Sequence, residues 1–304
     1  VKKHQTSKAG CTFLTASVQE PYGYGRIIRD AAGHVTAIRE HKDASDAEKA
    51  VKEINVGVYC FRGPELNETL KKVTLNPKKK EFYLTDIVEL LVGKNLKVET
   101  VTTGDANEGL GINTREDLAL AAEILRYRIL RKWMLEGVTI VDPKTTYIDA
   151  DVEIGQDTTI RPFVVIENNV RIGKNCTVGP FTRLRPGTKL KDHVEIGNFA
   201  EVSRSELGEH SLMKHFSFLG DARVGSRVNI GAGVVTANYD GKNKNVTHIA
   251  DEAFIGSDSI LVAPVTIGRK AVTGAGSVVK KGTVVPPGKV AVGVPARVIS
   301  RRKL

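Results

Sequence analysis

Long apolar runs are missing from this chain, and so are grouped cysteines and plentiful aromatics. No stretch approaches the ~18 consecutive apolar residues of a membrane helix, which excludes a helical span, and no signal-peptide pattern opens the sequence. Cys11, Cys60 and Cys176 show neither disulfide nor zinc spacing, which fits a reducing, cytoplasmic setting. Aromatic residues make up 6%. The net charge of +10 comes from basic residues scattered along the chain, without the aromatic interleaving of a nucleic-acid face. Such charge reads as a solvated surface, or as a field suited to small polyanions such as nucleotides, coenzyme A and sugar phosphates.

What is present is a period. Ile148, Ile154, Ile160, Ile166, Ile172, Val178, Leu184, Leu190, Ile196 and Val202 recur at every sixth position. A second run, Ile249, Ile255, Leu261, Ile267, Val279 and Val285, keeps the same step, with Thr273 breaking the aliphatic rule. Six is neither a helical period nor a strand alternation. It fits a short strand and a bend, one inward side chain per unit and three units per triangular coil, which is a parallel β-helix. Glycine often follows the inward residue, as at Gly155, Gly173, Gly197 and Gly256, where a bend needs positive φ or close backbone approach.

With 304 residues and the repeat confined to the second half, two domains are expected. Residues 12–112 read as an α/β segment, with strands at 26–29, 56–61 and 97–102 and helices at 44–54, 64–73 and 84–92, the last capped by Thr85. A cap at Thr114 with Asp117 opens a longer helix. Its stripe of Leu118, Ala122, Leu125, Ile129 and Trp133 predicts a packing face, and Gly137 ends it. The boundaries predicted are 1–114, a linker helix at 115–137, and the solenoid at 138–304.

The register slips by one residue at Leu207 and Val224 and fails more severely after Ile230, where 236–246 reads as a loop rich in Asn, Asp, Gly and Lys. Regularity is usually given up at functional sites. His215 stands just before this loop and could take a proton from an amine or hydroxyl. A lone histidine reads as structural. With Arg185, Asn229, Asn238 and Lys244 within a few coils, it reads instead as part of a pocket for a phosphorylated nucleophile. A competing reading has His210 and His215, with His193 or a neighbouring subunit's histidine, holding zinc.

The words Gly179-Pro-Phe-Thr-Arg-Leu-Arg-Pro-Gly187, Ile196-Gly-Asn-Phe-Ala-Glu201, Leu219-Gly-Asp221, Val228-Asn-Ile-Gly-Ala-Gly233, Asn238-Tyr-Asp-Gly241 and Leu261-Val-Ala-Pro-Val265 occur in one order. On these the chain resembles the bacterial bifunctional N-acetylglucosamine-1-phosphate uridylyltransferase / glucosamine-1-phosphate N-acetyltransferase family, or a close archaeal-type relative. The resemblance implies a partial Rossmann-like nucleotidylyltransferase domain followed by a left-handed parallel β-helix of hexapeptide repeats. It implies a cytoplasmic homotrimer with sites between subunits, acting in UDP-N-acetylglucosamine and cell-envelope synthesis. His215 would be the general base in acetyl transfer from acetyl-CoA to glucosamine 1-phosphate. Arg185, Asn229 and Lys244 would hold the phosphosugar, joined by Ser203 and Phe218. Asn238 and Tyr239 would position the acetyl group and stabilise the oxyanion, and Ala232, Ser257 and Ala275 would line the coenzyme A groove.

Ser203 and Phe218 stand where that family carries Lys and Tyr, and the loss at Ser203 is worth about 1.5–3 kcal/mol if nothing replaces it. Arg204 is adjacent, but neighbouring strand residues face opposite sides. The tail Gly293-Val-Pro-Ala-Arg297 is closer to general hexapeptide acyltransferases. Two alternatives follow: a solenoid kept only as a trimerisation module, or transfer to another amino-sugar phosphate.

In the first domain, Gly23-Tyr-Gly-Arg26, Glu40-His-Lys-Asp43, Glu53-Ile-Asn55, Glu81-Phe-Tyr-Leu-Thr-Asp86 and Gly111-Ile-Asn113 carry the same resemblance. It implies UDP-sugar contacts at Gly25, Glu40, Asn55, Tyr83 and Thr85, with UTP as substrate, and Asn113 as one Mg²⁺ ligand. The family's glycine-rich nucleotide loop and second metal ligand are not found, and the chain opens on Val1. The expectation is an N-terminally truncated chain with an incomplete uridylyltransferase half.

Overall fold

A computed structural model describes residues 1–77 and 80–300; the last four residues of the expected solenoid lie outside it. The chain divides into two compact units, Val1–Ala122 and Glu123–Leu304.

The first unit runs α1 (Lys2–Ser7), β1 (Cys11–Ser17), β2 (Arg26–Arg29), β3 (Val35–Arg39), α2 (Asp46–Lys49), β4 (Glu53–Phe61), α3 (Gly63–Leu70), β5 (Leu75–Asn76), β6 (Glu81–Phe82), α4 (Asp86–Gly93) and β7 (Val98–Thr102). Its main sheet has the order β3-β2-β4-β1-β7, with only β1 and β7 parallel among the described residues. Phe13 and Ile27 from the sheet and Ile87, Val88 and Leu91 from α4 build its core.

Two helices differ from the sequence reading. The helix predicted at 44–54 is one turn long. Ser45 and Glu48 form a capping box, but residues from Glu53 onward pair with β1, Ser17 opposite Glu53, and sheet pairing overrides the helical pattern. Thr85 takes the predicted N-cap position of α4 without capping it. Its hydroxyl donates to Glu40 Oε1 at 2.9 Å instead.

The helix α5 (Arg115–Leu135) opens as predicted, with Asp117 N–H donating to Thr114 Oγ1 at 3.1 Å and Thr114 N–H donating to Asp117 Oδ2 at 2.8 Å. Its predicted stripe holds only at the C-terminal end, where Ile129 and Trp133 pack with the solenoid core. Leu118 and Leu125 are 53% and 56% exposed, whereas Leu130 and Trp133 are buried in the solenoid core. Only the last turns of this helix have a core beneath them.

The second unit is the predicted left-handed parallel β-helix. Among the described residues its three faces carry ten, eight and eight strands, starting at Thr139–Ile140, Tyr147–Ile148 and Glu153–Ile154. All ten aliphatics of the first run and those of the second point inward and are buried. Each coil hydrogen-bonds to the next, as Arg161 N–H does to Val178 O at 2.8 Å. Two residues before each inward aliphatic a small hydroxyl often fills the corner. Ser211 Oγ, for example, donates to Gly225 O at 2.7 Å and accepts from Val228 N–H at 3.0 Å, so the corner backbone is satisfied without water. Cys176 occupies such a slot, its thiol donating to Lys191 O at 3.1 Å. Thr273 is inward too. Its hydroxyl oxygen accepts from Gly256 N–H at 3.0 Å and pairs with Ser259 Oγ at 2.9 Å.

The glycines after the inward residues owe their place mainly to close approach: a Cβ on Gly155 would lie 2.6 Å from Gly173 C. Gly179, after Val178, does take a left-handed φ of 101°, but most such φ values in the solenoid fall on third residues after the inward ones, such as Asp157, Phe181 and His210. The units ending at Leu207 and Val224 are five residues long, as read from the sequence. The loop begins later than predicted. Thr236 is a buried inward residue on the strand Val235–Ala237, and the chain leaves the coil only at Asn238.

Candidate functional site

His215 lies on the exposed corner between the first-face strand Leu212–Met213 and the second-face strand Ser217–Gly220. The backbone on either side of it is fixed. Phe216 O accepts from Gly233 N–H at 2.7 Å, and Lys214 packs against Gly197 of the preceding coil so closely that a Cβ there would lie 2.7 Å from Lys214 Cα. Met213 pairs with Ile230, Ile230 with Ile255, and Ile255 with Thr273. Two residues beyond these stand His215, Ala232, Ser257 and Ala275, so the imidazole heads a column of small side chains running down one corner over three further coils. This is an open track for a thin, extended ligand.

The second face continues from that corner. Phe218 lies at its centre, paired with Glu201, whose Oε1 accepts from Arg185 Nη1 at 2.9 Å. Arg185 Nε is buried without a partner among the described residues. A Cβ on Gly220 would lie 2.7 Å from Asn238 Nδ2 and 2.8 Å from Phe218 Cζ, so ring and amide meet above that glycine. Asn238 is buried, and its amide donates to Asp221 Oδ2.

The loop folds on Asp240, whose carboxylate accepts from the backbone of Lys242 and Asn243 at 3.1 and 2.8 Å, from Asn245 Nδ2 at 3.0 Å and from Lys281 Nζ at 3.3 Å. These bonds, the Asn243 N–H first, hold Asp240 well below the usual carboxylate range. Tyr239 is 61% exposed, its hydroxyl donating to Gly241 O at 2.7 Å, and it forms a bridge with Lys244.

The structure therefore gathers His215, Arg185, Phe218 and Asn238 along one face and its two corners, with Tyr239 and Lys244 on the loop thrown from the second corner. Asn229 does not join them. It points outward from the first face, between Leu212 and Phe254. Ser203 is 1% exposed, beneath Arg204.

Sequence reasoning gave Asp221 no role and left Arg204 doubtful, yet they form a bidentate pair, Nε to Oδ1 at 2.7 Å and Nη2 to Oδ2 at 3.0 Å. The Arg204 hydrogen bonds hold Asp221 below the usual carboxylate range, against the effect of its burial. A usable signal existed: 204, 221 and 238 are spaced by one shortened coil. The zinc reading loses its triad within the chain. His193 and His210 stack with ring centroids 4.5 Å apart on the corner before the first face, across that face from His215. No group of three metal-ligating side chains occurs among the described residues.

In the first unit, Gly25, Glu40, Asn55 and Thr85 come together. A Cβ on Gly25 would lie 3.6 Å from Glu40 Oε1 and 3.7 Å from Asn55 Cβ, and Thr85 bonds Glu40. Tyr83 and Glu40 line a cleft of about 300 Å³ with Tyr22 and His41. Arg26, given no role in the sequence reading, is wholly buried, bonded to Tyr24 O and to Nδ1 of His41, which lines this cleft, and burial pushes its guanidinium down. Tyr24 Oη accepts from Gly111 N–H at 2.9 Å, two residues from Asn113. Asn113 offers one neutral oxygen, short of what a hard dication needs.

Comparison with known proteins fits both units. A Nucleotidyl transferase family model matches residues 1–134. Bacterial transferase hexapeptide (six repeats) matches 151–186 and 169–204, and the Hexapeptide repeat of succinyl-transferase matches 246–281. Between the last two lies the segment with the shortened units and the loop. Fold and site thus define a nucleotidyl transferase unit joined to a hexapeptide-repeat transferase. The Bifunctional protein GlmU of Geobacillus sp. (strain WCH70) is 44% identical over 309 residues, covering 91% of this chain and 67% of that protein. The GlmU of Heliobacterium modesticaldum (strain ATCC 51547 / Ice1) is 44% identical over 322 residues, covering 95% and 70%. The chain belongs to the bifunctional GlmU family.

Proposed function

We propose that the solenoid transfers the acetyl group of acetyl-CoA to the amine of glucosamine 1-phosphate. GlmU family members carry both uridylyltransferase and acetyltransferase activity. The observation that carries the reading is the column His215, Ala232, Ser257 and Ala275 beside a second face bearing Arg185, Phe218 and Asn238, with Lys244 on the adjoining loop.

The pantetheine arm lies along the small-residue column with its thioester at the upper end. The amine nitrogen attacks the thioester carbonyl carbon while His215 takes the proton the nitrogen sheds. The tetrahedral intermediate collapses, the C–S bond breaks, and the proton passes to the departing thiolate. The buried Asn238 amide nitrogen is already committed to Asp221, so that side chain presents its oxygen, which accepts from the amine. The oxyanion role then falls to the backbone N–H of Tyr239. Arg185 and Lys244 hold the phosphate. Asn229, on another face, reaches the phosphosugar from a neighbouring copy in a homotrimer with shared sites.

The first unit's cleft at Glu40, Tyr83, Thr85, Gly25 and Asn55 is proposed to hold the UDP-sugar. Asn113 would be one ligand of a Mg²⁺ ion, which would supply charge neutralisation for the phosphates, but it offers a single neutral oxygen, fewer than that ion needs.

The test is release of free thiol from acetyl-CoA with a panel of hexosamine 1-phosphates. Transfer to glucosamine 1-phosphate is expected. Preference for another hexosamine changes the acceptor. Absence of transfer, with neither acetyl-CoA nor coenzyme A bound in calorimetry, leaves a scaffold and ends the proposal.

A further inference from the structure

We infer that Arg204, held by Asp221, is the phosphate-anchoring cation that Ser203 cannot be; the inference rests on the acceptor site proposed above. Ser203 is buried, and its Oγ accepts from Arg204 Nη1 at 2.8 Å. Arg204 escapes the strand alternation that would turn it to the opposite side. It has left the strand Ala200–Ser203 and sits on the corner with φ 47°, so its side chain folds back over Ser203.

The geometry leaves donors to spare. A guanidinium has five N–H groups. Nε and Nη2 each give one to Asp221 and Nη1 gives one to Ser203, which leaves one on each terminal nitrogen. With Ser203 on the inner Nη1 hydrogen, those two form the outward fork that matches a phosphate.

The local charge also favours an anion. Asp221 feels the positive charge of Lys244 as well as that of Arg204, and Arg223 Nη1 donates to Arg204 O at 3.0 Å. Two cations, Arg204 and Lys244, therefore act on one carboxylate, and a third, Arg223, is bonded to the Arg204 backbone. The same Asp221 Oδ2 that accepts from Arg204 accepts from Asn238. One carboxylate thus sets both the anion holder and the amide that faces the acceptor amine, and Asp221 is a positioning residue.

The test is acetyl-transfer kinetics of R204Q with two acceptors, glucosamine 1-phosphate and glucosamine. The KM for the phosphorylated acceptor should rise about 10–100-fold. The KM for acetyl-CoA should stay within about twofold, because that ligand does not use the anchor, and the kcat/KM for glucosamine should fall far less than that for the phosphorylated acceptor. Equal losses with both acceptors would mean a structural role and overturn the inference, as would no change with either. Should R204Q not fold, R204K replaces it. It keeps the charge but loses the fork, and must still raise the KM for the phosphorylated acceptor alone. If the parent protein transfers acetyl to neither acceptor, the acetyltransferase reading fails by itself. Calorimetry with glucosamine 1-phosphate then decides: weaker binding to R204Q supports the anchor, and equal binding, or none to the parent, overturns it.

Discussion

Gly197→Ala probes the link between coil packing and chemistry. A Cβ at Gly197 would stand 2.7 Å from Lys214 Cα and closer still to its carbonyl group. Carbon atoms settle at about 3.5–4.0 Å, so the coils must part by about 0.8 Å or more. The obstacle is backbone, which no rotamer change can move. Overpacking of this kind costs about 1–3 kcal/mol, and about 2–4 °C of Tm per kcal/mol in a unit of this size. Lys214 immediately precedes His215, so the displacement reaches the imidazole. A shift near 1 Å at a reacting group costs about 10²-fold in rate. Thermal unfolding and thiol release on one preparation read both effects. Gly282→Ala is the control, since nothing lies within 4 Å of its Cβ and only its φ of +79° opposes the change. It should lose stability but keep the rate. A Gly197→Ala protein with parental Tm and rate would refute the packing argument.

Other outcomes follow from the same geometry. His215→Ala should slow acetyl transfer by about 10²–10⁴-fold, with the solenoid's circular dichroism unchanged. Thr273→Val should lower the urea midpoint by an amount equivalent to about 0.5–1.5 kcal/mol, because two hydroxyl bonds are lost while Gly256 N–H keeps Thr273 O at 3.1 Å and Ser259 Oγ keeps Gly256 O at 2.7 Å. Iodoacetamide at pH 8 should label Cys60 first: burial, with the neighbouring Cys60 charge, pushes Cys11 up to about 12, and burial also raises Cys176. The folded-state pKa of Asp221 is depressed, so its contribution to stability is present above about pH 4, its unfolded range, and is lost as pH falls through the folded value. Urea midpoints should therefore show Asp221→Asn weaker than the parent at pH 7, with the gap closing as the pH is taken down below the unfolded carboxylate range.

The solenoid was legible because one rule repeats. Ile148 to Val202 fixed the inward column, and even the five-residue units at Leu207 and Val224 could be counted. Thr236 escaped because a threonine before Asn-Tyr-Asp-Gly has loop composition, although its inward position is set by the Leu219 and Leu261 layers. In the first unit the short strands β1 and β3 were unread, since β1 is buried along most of its length and shows no alternation. The helix at 44–54 lost to a pairing partner far away in sequence. The α5 stripe has the right period, but most of it has no core to face. At the site, the face shared by Arg185 and Phe218 follows from the hexads, whereas the Arg204–Asp221 clamp depends on a left-handed corner that strand alternation hides. Asn229 shows the limit of counting coils: nearness in coil number is not nearness in space when faces differ.

The most direct test is the rate of thiol release from acetyl-CoA in the presence of glucosamine 1-phosphate, compared between the parent protein and His215→Ala. The geometry of the corner column predicts turnover in the parent and at least about a hundredfold loss in the variant. Equal rates in the two proteins would take the reaction away from that corner.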